Sequence, residues 1–186
     1  MSSKKINPTV IKSKELIIES FLDMLAIKPL SSISICEIAE NATVDRRTFY
    51  RHFKSKDEII RYYIHEVSKQ LEEKLQHYNP KDIYYNIKAL FEVYLVMKET
   101  LLILHKQKLL DIFISDFEII YEKYQQKYAK YLKPEILKQD NFDYYMAYER
   151  GAIMQVTKKW IMEGCTYSPD KMGKMLEEYF SIIKSL

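Results

Sequence analysis

Hydrophobic residues recur at intervals of three and four along most of the chain, which is the spacing of one face of an α-helix. The first such run contains Ile17, Phe21 and Leu25 and stops before Pro29, which predicts a first helix that serves as scaffold. Runs of alternating hydrophobic and polar residues, the pattern of a half-buried strand, are scarce. The sequence therefore predicts an all-α protein of about nine helices.

Two short helical patterns separated by a tight turn lie between Ser34 and Lys56. Ser34 and Glu37 form a capping box, in which the serine hydroxyl accepts from a backbone N–H three residues on and the glutamate reaches back to the cap. A helix is therefore predicted to start at Ser34. Its inward face is expected to consist of Ile35, Ile38 and Ala39.

The second helix of this stretch begins after Asp45, a favourable N-cap residue. Phe49 and Phe53, four residues apart, are predicted to bury together on one side of it. The opposite side is then exposed and carries Arg46, Arg47, Tyr50 and Arg51. A basic and aromatic face is typical of a recognition helix, whose N-terminal side chains meet base edges in the major groove of DNA.

Each of these residue types can make a particular contact with DNA. Arg46 and Arg47 lie in the first turn, and a planar guanidinium can bond both acceptors of a guanine. The hydroxyls of Thr48 and Tyr50 can bond phosphate oxygens. A third capped helix begins at Lys56, which could hold a neighbouring phosphate.

The segment from Ser34 to Ile59 resembles the helix-turn-helix signature of TetR-family (TetR/AcrR) transcriptional regulators, in which a threonine or serine cap precedes I-A-x-x-A-x-V and then T-x-Y-x-H-F-x-x-K. The matching positions are Ser34, Ile38, Ala39, Ala42, Val44, Thr48, Tyr50, His52, Phe53 and Lys56. Departures occur at Thr43, where a turn glycine is usual, and at Asp45 and Arg47, so the target sequence is not carried over. The resemblance implies a DNA-binding set of Ser34, Arg46, Arg47, Thr48, Tyr50, Arg51, His52 and Lys56.

The resemblance also implies how the whole chain is organised. Residues 1–55 are expected to form a three-helix, helix-turn-helix DNA-binding domain with its recognition helix at about 45–52. Residues 56–186 are expected to form a helical domain that binds a small molecule and dimerises, and its hydrophobic spacing predicts a connecting helix at 56–77. Our hypothesis for regulation is that a tilt of this connecting helix changes the separation of two DNA-binding domains in a dimer.

The C-terminal part of the chain is rich in aromatic residues, and two interpretations of them stay open. They recur at helical spacing between about residues 108 and 132, as expected of packed core. They could also line a ligand pocket, because effector cavities are largely apolar with a few polar groups. The residues of the predicted pocket are Phe91, Tyr94, Phe113, Phe117, Tyr121, Tyr144 and Tyr148.

The last two predicted helices are expected to be hairpin partners. The first covers residues 140–163 and is closed by Gly164 in a left-handed conformation, and the second is capped by Ser168. Gly151 predicts close approach of a helix, within the fold or across a two-fold axis. Residues 151–172 resemble the C-terminal region of TetR-like regulators common in low-GC bacteria, which implies a four-helix dimer bundle containing Gly151, Met154, Trp160, Met172, Leu176, Tyr179 and Phe180.

Charge and cysteine usage change this interpretation only in part. The formal net charge of +3 is a weak indicator of nucleic acid, but five basic residues stand against one acidic residue between Asp45 and Lys56. The two cysteines form neither a metal motif nor a disulfide framework, which indicates a reducing compartment. Cys36 is expected in the core and Cys165 is a candidate redox sensor. A basic N-terminal arm could be formed by Lys4, Lys5, Lys12 and Lys14.

Other function classes find little support in the sequence. A signal segment and a membrane-length apolar run are absent, so a cytoplasmic protein is expected. The first 150 residues contain no glycine, which excludes phosphate-cradling loops there. The four histidines are scattered without the spacing of a metal site, and no nucleophile motif occurs, so no enzyme, cofactor or metal is expected.

The sequence therefore predicts a homodimeric DNA-binding repressor that binds a palindromic operator in double-stranded DNA and is released by a small-molecule effector. Two alternatives stay open. One is a TetR-like activator. The other is a helical adaptor that does not bind DNA, for which the basic face from Arg46 to Lys56 would be dispensable.

Overall fold

A computed structural model of the protein describes residues 8–74, 82–129 and 142–185. These ranges contain nine α-helices and no strand, which confirms the prediction of an all-α fold. The helices are α1 (Pro8–Ile27), α2 (Ile35–Asn41), α3 (Arg46–His52), α4 (Lys56–Lys74), α5 (Ile83–Val96), α6 (Lys98–Lys106), α7 (Leu110–Ala129), α8 (Phe142–Met162) and α9 (Pro169–Ser185). A short 3-10 turn at Leu30–Ser32 precedes α2.

The chain divides into two compact units, Met1–Tyr63 and Ile64–Leu186. The division falls inside α4, so the first unit contains α1 to α3 and the start of α4. The functional boundary between residues 55 and 56 stays a prediction. Lys4 and Lys5 of the predicted arm and the end of the predicted connecting helix near His77 lie outside the described residues.

The core of the first unit forms where α1 packs on α2 and α3. Ile17, Phe21 and Leu25, one face of α1, are completely buried. Phe49 and Phe53 are also buried, with ring centroids 6.3 Å apart. Because these two rings occupy the inner side of α3, the polar residues between them must face outward.

A buried polar contact fixes α2 against α1. Ser20 is only 4% exposed, and its hydroxyl donates to the Ile38 carbonyl at 2.9 Å. It also accepts from the Asn41 side-chain amide at 3.2 Å. A buried hydroxyl with both functions satisfied stabilises one relative placement of the two helices.

In the second unit, α9 packs mainly along α5, while α8 packs on α6 and α7. This corrects the expectation that α8 and α9 are hairpin partners. The Tyr84 hydroxyl donates to the Asp170 carboxylate at 2.7 Å, at the first turn of α9. Apart from its chain neighbours and the backbone of its own helix, no described atom lies within 4 Å of a Cβ built on Gly151. A Cβ built on Gly173 would meet Tyr84 closely, so the close approach within the fold occurs at Gly173.

None of the helices in the described ranges is long and apolar enough to cross a membrane.

Candidate DNA-binding face

The first turn of α2 carries the predicted capping box. The Ser34 hydroxyl accepts from the Glu37 backbone N–H at 3.2 Å, and the Glu37 carboxylate accepts from the Ser34 N–H at 2.8 Å. Lys28, just after α1, donates to the same carboxylate at 2.6 Å. The hydrogen bond from Lys28 and then that from the Ser34 backbone lower the pKa of Glu37 to about 2. The cap is therefore ionised at neutral pH and ties α2 to the end of α1.

The turn between α2 and α3 has the geometry of a glycine turn, although threonine occupies it. Thr43 has a φ of 55°, in the left-handed region. The Val44 N–H then donates back to the Ala39 carbonyl at 2.9 Å, which closes the end of α2. The departure from the family signature at Thr43 therefore leaves the turn conformation in place.

Asp45 caps α3 with both carboxylate oxygens. One accepts from the Thr48 N–H at 2.7 Å, and the other accepts from the Thr48 hydroxyl at 3.2 Å. The first of these bonds is the main reason that the pKa of Asp45 is lowered. Aspartate at this position therefore orients the start of α3 and holds the Thr48 hydroxyl close to the helix.

The outward side of α3 carries the four residues that the sequence predicts there. Arg46, Arg47 and Arg51 are exposed, and Tyr50 is 48% exposed. The Arg46 guanidinium lies 6.0 Å from the centroid of the Tyr50 ring. Hydrogen bonding with Tyr50 is the main reason that the pKa of Arg46 is raised. This side of α3 thus presents three arginines and a phenol on one short helix, as base and phosphate contacts require.

His52, at the end of α3, lies partly against α1. Its Nε2 is 2.8 Å from the Ser13 hydroxyl. Burial, and then the charges of Arg51 and Lys14, lower the pKa of His52. Lys14 itself lies over the Tyr62 ring, 3.4 Å from its centroid. His52 therefore joins α3 to α1, a role that the signature alone does not reveal.

Lys56 also has partners inside the protein. Its ammonium donates to the Leu30 carbonyl at 2.6 Å and to the Ile33 carbonyl at 2.7 Å. Sequence reasoning assigned this side chain to a phosphate. Its contacts lie 23 and 26 residues away in the chain, which local spacing does not show.

Cys36 is exposed on α2, which corrects its expected place in the core. The buried residues Ile38 and Ala39 fill the inner face of α2, and Cys36 lies off that face. The other cysteine, Cys165, is buried, and burial raises the pKa of its thiol to about 11. A thiol with a raised pKa lacks the thiolate character that a redox sensor needs.

In the second unit, four of the seven predicted pocket residues form a buried aromatic cluster. Its members are Phe91, Tyr94, Phe113 and Phe117. The ring centroid of Tyr94 lies 5.6 Å from that of Phe113 and 5.0 Å from that of Phe117. Trp160 joins the cluster edge-on, 5.0 Å from Phe91. The rings contact one another directly, as packed core does.

Two of the other three predicted pocket residues lie on the surface. Tyr144 and Tyr148 are 81% and 56% exposed on α8, and the side chain of Tyr121 is not among the described ones. A residue that sequence reasoning missed is Thr157 of α8. It is completely buried, and its hydroxyl has no hydrogen-bond partner among the described residues. A buried hydroxyl without a partner is energetically unfavourable until a ligand or water bonds it.

Four of the seven residues predicted for a dimer surface belong to the core of their own unit. These are Met154, Trp160, Met172 and Leu176, each at most 5% exposed. Trp160 shows the physical reason, because its indole donates to the Tyr167 carbonyl at 2.9 Å and so closes the loop after α8. Gly151, Tyr179 and Phe180 are exposed or half-buried and stay predicted dimer residues.

Two family models match the chain. Bacterial regulatory proteins of the tetR family match residues 17–63, and a transcriptional regulator C-terminal region matches residues 81–181. A stretch of 58 residues is 34% identical to an uncharacterized HTH-type transcriptional regulator, YxbF of Bacillus subtilis (strain 168). That match covers 31% of this chain and only 15% of the length of YxbF.

Solved structures show the same fold over nearly the whole chain. The dihydroxyacetone kinase operon activator DhaS has a TM-score of 0.62 at 18% identity, over 95% of this chain and 98% of DhaS. The fatty acid degradation regulator FadR from Bacillus halodurans has a TM-score of 0.61 at 15% identity, over 94% and 95% of the two chains. NalD, the secondary repressor of the MexAB-OprM multidrug efflux pump in Pseudomonas aeruginosa, has a TM-score of 0.50 at 17% identity, over 92% and 95%.

The helix-turn-helix geometry of α2 and α3 and the two matching family models lead to one conclusion: the chain belongs to the TetR family of transcriptional regulators and carries its DNA-binding domain at the N-terminus.

Proposed function

We propose that the protein is a homodimeric, cytoplasmic repressor that binds an inverted-repeat operator and is released by a small-molecule effector. The observation that carries this proposal is the outward side of α3, where Arg46, Arg47, Tyr50 and Arg51 are exposed while Phe49 and Phe53 are buried. An adaptor that never met DNA would have no use for three exposed arginines on a capped helix of seven residues.

In this proposal the residues of the face have two roles: some contact bases and set specificity, and others contact phosphates and set the position of the helix. Arg46 and Arg47, in the first turn of α3, contact base edges. Ser34, Tyr50 and Arg51 contact phosphates, which sets the register of the helix in the groove. Thr48 joins them when its hydroxyl turns from Asp45 to a phosphate oxygen. His52 and Lys56 complete the predicted set, and the bond of His52 to Ser13 supports a role in holding α3 in place.

A symmetric dimer would present two copies of α3 to one side of the duplex. Half-sites should then lie about 34–36 Å apart, or a modest multiple of that, and the operator should be an inverted repeat. One exposed side of α8 supports this assembly, since Tyr144, Tyr148 and Met162 are large apolar residues left in water. Gly151 lies along that side, and Tyr179 of α9 is also exposed. Exposed apolar patches of this kind mark interaction sites.

We infer that the effector binds in the second unit beside the aromatic cluster and bonds the Thr157 hydroxyl. Its chemical class would then be a small apolar or aromatic molecule with one hydrogen-bonding group. The effector shifts the protein away from DNA only by the difference in its affinity for the two states, typically about 1–3 kcal/mol. Thr157→Val should weaken the response to such a molecule while leaving DNA binding unchanged.

Repression is preferred to activation for a physical reason. A dimer that covers a promoter blocks transcription by occupancy alone, whereas an activator must also contact the transcription machinery. The named structural neighbours include both an activator and a repressor, and their similarity to this chain extends to the fold alone. A reporter gene placed downstream of a selected operator decides between the two: repression lowers its output when the protein is present.

The decisive experiment is selection of binding sites from random duplex DNA with the full chain, followed by gel-shift titration. An inverted repeat should emerge, and binding to it should exceed binding to a scrambled duplex. Arg46→Ala and Arg47→Ala should relax base preference by about 1–3 kcal/mol per lost bidentate contact. Tyr50→Ala should weaken binding to every sequence alike. Recovery of no sequence, with equal weak binding to all duplexes at low salt, would contradict the proposal.

A further inference from the structure

Lys56 lies where the sequence predicts a phosphate contact, yet the structure gives its ammonium two acceptors from the protein. The distances are 2.6 Å to the Leu30 carbonyl and 2.7 Å to the Ile33 carbonyl. An ammonium has three donors, so two of the three are engaged. Both bonds have the short length of charge-assisted hydrogen bonds.

The two carbonyls lie in the segment that connects α1 to α2. Leu30 begins the 3-10 turn after α1, and its carbonyl also accepts from the Ile33 N–H at 3.3 Å. Ile33 is buried and directly precedes Ser34, the N-cap of α2. The position of these carbonyls therefore sets where α2 begins and how it is aimed.

Lys56 is the first residue of α4, so its two bonds attach the start of that helix to the entry of α2. Other contacts in the described first unit connect α1 with α2 through Ser20, α1 with α3 through His52, and α1 with α4 through Lys14 over the Tyr62 ring. Among the contacts in the described first unit, the Lys56 bonds are those that join α4 to the segment before α2. While both bonds stay in place, a phosphate could meet only the third N–H of the ammonium.

We propose that Lys56 is a positioning residue of the DNA-binding domain and not a phosphate contact. Its ammonium fixes the entry of α2 through the carbonyls of Leu30 and Ile33. The inference rests on the proposed DNA-binding function. It differs from a phosphate contact in one measurable way. A lost phosphate contact lowers the slope of log affinity against log salt by about 0.9, so by about 1.8 for a symmetric dimer. A lost positioning contact weakens binding and leaves that slope unchanged.

The test compares Lys56→Met with the wild-type full chain on the selected operator, by titration at several salt concentrations near 10 °C. Circular dichroism at the same temperature checks that each protein is folded. The expected result is a loss of affinity of about tenfold or more, with the wild-type slope, since charge-assisted bonds of this kind are lost. Arg51→Met removes one charge from an exposed phosphate contact and is the reference for a reduced slope.

Lys56→Gln is the second variant and covers the case in which the methionine variant does not fold. Its neutral amide can still donate to both carbonyls, but it cannot neutralise a phosphate. Affinity of Lys56→Gln close to that of the wild type, with an unchanged slope, supports the proposal. A slope lowered in either lysine variant, or an affinity unchanged by Lys56→Met, overturns it. If the wild-type protein binds no duplex, the proposed function itself fails, which is a distinguishable outcome.

Discussion

A Cβ built on Gly173 would lie 2.9 Å from the Tyr84 carbonyl oxygen and 2.9 Å from its ring Cδ2. Gly173 belongs to α9 and Tyr84 to α5, so the absence of a side chain is what lets these two helices touch. Real Cβ atoms do not approach backbone oxygens so closely, and a substitution must push the helices apart.

We therefore expect Gly173→Ala to destabilise the protein by about 1–3 kcal/mol, the usual range for overpacking, despite the better helix propensity of alanine. Urea unfolding followed by circular dichroism measures the change. Glu177→Ala, at an exposed position of the same helix, is the control and should change the free energy of unfolding by less than about 0.5 kcal/mol. Equal stability of the Gly173→Ala and wild-type proteins would show that α5 and α9 do not touch there.

The two cysteines should differ sharply in reactivity. Cys36 is exposed, while Cys165 is buried with a pKa of about 11. Near pH 8, Ellman's reagent should therefore modify one thiol per chain rapidly in the native protein and two in denaturant. Because Cys36 lies in the first turn of α2, two residues after Ser34, a proposed phosphate contact, operator DNA should slow the native reaction several-fold.

Cys36→Ser should abolish the rapid reaction and thereby identify the thiol. A scrambled duplex at high salt is the control for DNA that is present but unbound. Protection absent under conditions where the gel shift shows full occupancy would mean that the first turn of α2 faces away from the duplex, which contradicts the proposed docking.

The N-caps of α2 and α3 were predictable, because a capping side chain bonds backbone groups only a few residues away. Ser34 and Glu37 are three residues apart, as are Asp45 and Thr48, and each pair makes the bonds that the spacing predicts. Thr43 shows where local preference yields to tertiary context. It adopts the left-handed conformation that glycine prefers, because the buried packing of α2 and α3 requires the turn there.

Contacts between residues distant in sequence were not predictable in the same way. Periodicity identified Trp160 and Met172 as apolar-face residues but could not say whether their own unit or a second copy covers them. The same limit applies to Tyr144 and Tyr148, whose aromatic character suits a pocket and an interface equally. For Lys56, residue type indicated an acceptor, and only the fold shows that backbone carbonyls supply it.

His52 should make the stability of the first unit depend on pH. Burial, followed by the charges of Arg51 and Lys14, holds its folded-state pKa below the ordinary value of 6.5. The unfolded state therefore binds the proton more readily, and stability is lost as pH falls from about 6.5 toward the folded-state pKa. Thermal unfolding between pH 8 and pH 5 should show this decline.

In His52→Gln the decline should become shallower, because the titrating group is gone. His105→Gln, in the second unit, serves as the control for removing a histidine elsewhere in the chain. Identical pH profiles for His52→Gln and the wild type would mean that protonation of His52 is tolerated equally in the folded and unfolded states.

Gly151 separates the stability of one chain from its association with a second. Apart from its chain neighbours and the backbone of its own helix, no described atom lies within 4 Å of a Cβ at this position, so alanine fits the isolated chain and should stabilise α8 by about 1 kcal/mol through helix propensity. Gly164 also has open space around it, but its φ of 77° strains any side chain, so Gly164→Ala should destabilise the protein. A gain in stability for Gly151→Ala beside a loss for Gly164→Ala would show that the gain at residue 151 comes from helix propensity.

If the exposed side of α8 meets its copy across a two-fold axis, the methyl group of Gly151→Ala lies between the two helices and separates them. Sedimentation equilibrium should then show weaker dimerisation by Gly151→Ala, while urea unfolding at low protein concentration shows a more stable chain. Opposite signs in the two measurements would locate Gly151 at the interface, because a fault in folding alone would lower both. Dimerisation as tight as that of the wild type, together with the gain in stability, would instead place the dimer contact away from Gly151.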